Sequence, residues 1–146
     1  MTIKRCDILV SAVIAVGALS TAAVADLTAQ ITVDPAAVVS TDRLVVTITG
    51  RYTLGPAGPN SQTSGVLTVS QASGTEVAGG HVFFTPIADG VEHTFVFNVH
   101  AENRPFHGGK GRVQASVRVD DCSTCCPCAS ASGSADVQVS IRGGGN

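Results

Sequence analysis

From Leu27 to Arg142 apolar and polar side chains alternate in steps of two, and no useful length of this stretch carries the 3.6-residue spacing of a helix. In Asp42–Leu54, residues Leu44, Val46, Ile48, Tyr52 and Leu54 share one face, while Thr47, Thr49, Arg51 and Thr53 share the other. Successive side chains of a strand point to opposite faces, so the spacing predicts a strand buried on one side. The pattern recurs in His93–His100, with Phe95, Phe97 and Val99 inward against Thr94, Val96 and Asn98. It returns in Arg112–Val119, through Val113, Ala115, Val117 and Val119, and in Ala135–Arg142, through Val137, Val139 and Ile141. Shorter strands are expected at Leu27–Val33, Gly65–Gln71 and His81–Thr85, which makes seven.

The separators are rich in turn formers. Asp34-Pro35 ends the first strand, because proline offers no ladder donor. Gly55–Ser61 reads as an exposed loop, Ser73-Gly74 and Gly79-Gly80 as turns, and Ala88-Asp89-Gly90 carries an Asp-Gly turn signal. Glu102–Gly111 bridges the fifth and sixth strands.

The first 25 residues differ in kind. Lys4 and Arg5 precede an apolar run from Ile8 to Leu19, and Ala23-Val24-Ala25 has the small-x-small form of a signal peptidase site. Residues 1–25 are therefore expected to be a signal peptide, with a mature chain that begins at Asp26 and is secreted to the periplasm or the cell exterior. Cys6 lies before the apolar run rather than after it, which argues against lipidation there. An uncleaved anchor is disfavoured by the Ala, Ser and Thr content of the stretch and by the cleavage site. Cleavage leaves 121 residues with seven basic and ten acidic side chains, a net charge of −3, and no stable membrane span. The basic residues are scattered singly, so no patch exists to attract nucleic acid. With no Trp and few other aromatics, a sugar-stacking platform is disfavoured.

Seven half-buried strands in one domain, 26–142, followed by a flexible Gly-rich tail at 143–146, predict two packed antiparallel sheets. The segment Val91–Val99, then a Gly-containing loop, then Gly111–Asp120, resembles the last strands of bacterial immunoglobulin-like and fibronectin type III-like modules of exported proteins. The resemblance implies a seven-stranded antiparallel immunoglobulin-like β-sandwich, a structural or adhesive binding module of the cell surface with no catalytic residue to transfer. The chain departs from antibody-type domains: it has no core Trp and no cysteine pair spaced to bridge two sheets.

Cys122, Cys125, Cys126 and Cys128 crowd the hairpin between the sixth and seventh expected strands. An exported chain is normally oxidised, so disulfides are the preferred reading. A bond between adjacent Cys125 and Cys126 is disfavoured by geometry. That leaves Cys122–Cys125 with Cys126–Cys128, or Cys122–Cys126 with Cys125–Cys128. The first alternative is four thiolates around Zn(II) or Cu(I), though the neighbouring Asp120 and Asp121 oppose thiolate formation if close; a redox-active pair is the other.

The remaining polar residues suggest no chemistry. His81, His93, His100 and His107 lack the spacing of a zinc-enzyme motif and read as ordinary surface or strand-end residues. Asp34, Asp42, Asp89, Asp120 and Asp121 form no calcium-loop series. Neither a nucleophile elbow nor a phosphate loop is present, so no enzyme activity and no cofactor is expected. Three functions stay open: a structural or adhesive module, a subunit of a surface assembly whose strand edges pair with a protein partner or with copies of itself, including exchange of Leu27–Val33; an exported thiol metal binder; and a small enzyme whose site is not visible in the sequence.

Overall fold

The computed structural model describes residues 26–123 and 127–143, and the expected signal peptide, Cys125, Cys126 and the end of the tail lie outside them. The described chain is all-β. Its strands are β1 (Thr28–Val33), β2 (Ala36–Val39), β3 (Val45–Gly55), β4 (Ser61–Ser73), β5 (Glu76–Phe84), β6 (Glu92–His100), β7 (Gly109–Asp121) and β8 (Ala129–Gly143).

Eight strands replace the expected seven, and the added one is β2. Asp34-Pro35 does end β1, but the chain re-enters the sheet at once. Ala37 and Val39 point inward while Ala36 and Val38 face out. Both faces of this strand are apolar, so no alternation betrays it. β2 also breaks the expected antiparallel rule: it pairs antiparallel with β3 through Val38–Thr47 and parallel with β8 through Ala36–Ser140 to Val39–Gly143. The crossing is fastened by the Ser140 amide on the Pro35 carbonyl at 2.8 Å and by the Thr49 hydroxyl on the Asp34 carboxylate at 2.6 Å.

β2 thereby joins two arms, β1–β3–β6 and β5–β4–β7–β8, into one eight-stranded pairing network. The arms fold over each other, with β1 against β7 and β8, β3 against β7, and β5 against β6. Between them lie the inward residues that the alternation predicted: Val46, Ile48 and Leu54 of β3, Val99 of β6, and Val113, Val117 and Val119 of β7. Each fully buried Val or Leu contributes about 1.5–3 kcal/mol. Leu44, expected inward, precedes β3 and stands half exposed.

Gly79-Gly80, expected as a turn, is paired strand instead, and the last strand begins ahead of the expected Ala135. Gly79 and Gly80 lie inside β5, where a Cβ on Gly80 would strike the carbonyl of His100 in β6. Ala129–Ser134 belongs to β8 and pairs with Ser116–Asp121 of β7. There Gly133 faces the carbonyl of Ala29, so small residues admit the crossing of β1.

One buried polar residue organises the β6–β7 connection. Gln71 of β4 is 1% exposed. Its amide donates to the carbonyls of His107 at 2.8 Å and Lys110 at 3.3 Å, and its oxygen accepts the His107 amide at 2.9 Å. Next to it Phe106 is fully buried, its own amide bonded to the Arg43 carbonyl.

Candidate functional site

The outward residues of β5, β4, β7 and β8 form a continuous surface whose rows follow from register. Phe83, Val66, Ser116 and Ser134 make one row; His81, Thr68, Gln114 and Asp136 the next; Gly79, Ser70, Arg112 and Gln138 a third. Phe83 is 73% exposed, more than any other large apolar side chain described. The small residues around it leave open depressions on either side. One, of about 370 Å³, is lined by Val66, Thr68, Ser70, Gly79, His81 and Phe83. The other, of about 310 Å³, is lined by Ser64, Val66, Phe83, Ser116, Arg118 and Ser132 among others.

Two ion pairs lie on this face, and Lys110 of β7 stands exposed on it outside both. Arg112 forks onto Asp136, with Nε to Oδ1 at 2.7 Å, and Arg118 forks onto Asp120 at 2.9 and 2.8 Å. Those guanidinium partners hold both carboxyls below the usual range. His81 pairs with Glu102, and its ring meets Phe83 edge-on with centroids 4.9 Å apart. Such a surface offers hydroxyls, amides and the exposed apolar side chains of Phe83 and Val77.

The aromatic residues are few, yet four of the six, Tyr52, Phe84, Phe95 and Phe97, gather where β5 approaches β6. Phe84 lies 4.6 Å from Phe97, and Phe97 stacks on Phe95 at 4.8 Å. Tyr52 joins through Phe84 at 6.1 Å, and Phe83 occupies the outer side of the same strand. Alternation marked each residue's own face, but nothing local says that the two strands meet.

At the hairpin between β7 and β8, Cys122 is bonded to Cys128, with Cα atoms 4.3 Å apart. Neither expected pairing of Cys122 is found. The reason is register: Asp121 faces Ala129 as the last ladder pair, which brings the next residues out on each strand together. Cys125 and Cys126 lie outside the described residues, and a four-thiolate metal site requires the Cys122–Cys128 bond to be open. Asp121 accepts the Gly58 amide at 2.9 Å and the Ser123 amide at 2.9 Å, while the Ser123 hydroxyl accepts the Asn60 amide at 3.2 Å. The disulfide-closed tip is thus tied to the β3–β4 loop.

The other polar candidates are spread over the surface. His93 bonds Asp89 at 2.9 Å and stacks on Tyr52, His107 bonds the Gly108 carbonyl, and His100 ends β6. Asp42 accepts from Ser40 and Leu44, and Asp34 from Thr49. Among the described residues no three His, Cys, Asp or Glu are grouped to hold a metal ion. No helix there is long and apolar enough to cross a membrane. In comparison with known proteins, no family model and no curated protein matches this sequence.

Proposed function

We propose that the chain is an exported immunoglobulin-like β-sandwich that serves as a structural or adhesive binding module, a subunit of a surface assembly that docks protein through the outer face of β4, β5, β7 and β8. The pairing of a three-strand arm with a four-strand arm, and a first segment that passes from one to the other, supports the sandwich reading. The observation that carries the docking reading is Phe83, an exposed aromatic set among Ser, Thr and Gln on a face where Arg112 pairs with Asp136 and Arg118 with Asp120. Charges already paired around the anchor lower the desolvation cost of covering it, and the aromatic ring supplies apolar area at the centre.

The test is binding of labelled, exported protein to the surface of its producing cells. Phe83→Ser and Val66→Ser, each with an unchanged circular dichroism spectrum, are expected to weaken binding at least tenfold. Equal binding by both variants would remove this face from the function.

A further inference from the structure

We infer that β5 is a self-pairing edge, on which a second copy of this chain adds its own β5 antiparallel with Phe83 at the twofold centre. The proposal rests on the docking role of the β4–β5–β7–β8 face and names its partner. β5 ends the pairing order and bonds only to β4. Along its free side, the N-terminal half is already covered. Asn103 donates to the Val77 carbonyl at 2.8 Å and accepts the Gly79 amide at 3.0 Å, while the Glu102 amide bonds the Gly79 carbonyl at 2.9 Å. These three bonds fix the phase of the strand: odd-numbered residues direct their backbone groups away from β4. By the same phase His81 and Phe83 point outward, with Thr85 next in line. Two residues further on, the Ile87 amide is taken by the Tyr52 hydroxyl at 3.1 Å.

The open window therefore runs between the capped Gly79 and the engaged Ile87, and its midpoint is Phe83. A window centred on one residue suits an isologous contact. Phe83 would face its counterpart as a hydrogen-bonded pair that exchanges both N–H···O bonds, and His81 would face Thr85. On the outer face the two exposed phenyl rings become neighbours, flanked by the two Val66 side chains, so one apolar strip spans both copies.

Charge permits the approach. No Lys, Arg, Asp or Glu occurs from Gly80 to Ala88, and at the window's margin the Glu102 carboxylate is held by the His81 ring. The devices that usually protect an edge, a charged side chain, a bulge or a proline within the paired stretch, are missing from His81–Thr85. The area is small: a phenyl ring and a short strand from each copy fall below the roughly 1,200 Å² of a stable complex. Association is accordingly reversible and concentration-dependent, suited to repeated subunits held side by side.

Sedimentation velocity on the protein purified after export, from micromolar to millimolar concentration, reads the dimer directly. Hydrogen exchange at the His81 and Phe83 amides reads the strand pairing. The native protein should shift from monomer to dimer as concentration rises, with these two amides gaining protection in step. Phe83→Lys, and independently Thr85→Pro, should raise the dimer dissociation constant at least tenfold while leaving the circular dichroism spectrum unchanged. A native protein that stays monomeric, a dimer that persists in both variants, or protection of these amides only in a complex with a different protein would each overturn self-pairing. If cell-surface binding responds to Phe83→Ser while the native protein remains monomeric, the docking face stands and this inference falls. If dimerisation follows the prediction and cell-surface binding does not, the reverse holds.

Discussion

Cys122 and Cys128 stand one residue beyond the facing pair Asp121 and Ala129, and their disulfide pins the β7–β8 hairpin at its turn end. The bond adds a covalent rung to a ladder that already runs the length of both strands.

A protein in which Cys125 and Cys126 are replaced by Ser should therefore still resist alkylation at Cys122 and Cys128 until reductant is added. Replacing Cys122 and Cys128 by Ser should lower stability by about 2 kcal/mol, since the closed loop is short. Denaturant unfolding monitored without reductant measures it. Free Cys122 and Cys128 thiols in the oxidised preparation, together with stoichiometric zinc or copper, would favour the thiol metal binder instead.

Gln71 replaces a missing piece of backbone pairing for the β6–β7 connection. Gln71→Leu keeps the volume and removes both halves of the amide, leaving the His107 amide and carbonyl unpaired in a buried setting. The expected loss is about 2–3 kcal/mol in the unfolding free energy, with faster exchange at the His107 amide. An unchanged denaturation midpoint would falsify this role.

Acid should release the tie between the hairpin tip and the β3–β4 loop. The Gly58 amide, and after it Ser123, hold the Asp121 carboxyl below the usual carboxylate range. A folded pKa below the unfolded value means that the stabilisation is complete above about pH 3.9 and is lost as pH falls through the folded value. The amide resonances of Gly58 and Ser123 should hold steady from pH 7 to about pH 4 and then move together. In Asp121→Asn that acid transition should vanish; a transition that survives the substitution assigns it to another group.

Export is checked by the mature terminus. Sequencing of the protein recovered outside the cytoplasm of its producing cells should read Asp26-Leu27-Thr28. Residues 1–25 retained on the native protein would refute cleavage and place an anchor ahead of β1.

The alternation of apolar and polar residues made β3, β6, β7 and the second half of β8 legible, because a strand with one buried face writes that face into its own sequence. Val46, Ile48 and Leu54, or Val113, Val117 and Val119, need no partner to reveal which way they point. Asp34-Pro35 likewise announced a break, and Ser73-Gly74 a hairpin turn, since both act through their own backbone dihedrals.

Tertiary structure decided the rest, because it depends on which backbones meet. Ala36–Val39 is a strand only because β3 and β8 leave a gap that it fills. Gly80 and Gly133 are glycines inside strands because the carbonyls of His100 and Ala29 come too close for a side chain. Cys122 finds Cys128 through a register set along the whole β7–β8 ladder, and Phe83 becomes a surface anchor only when β4 lies beside it and no strand lies beyond. Period is a property of one strand, written in its own residues; register, edges and neighbours belong to pairs of strands, and they exist only once the chain has folded.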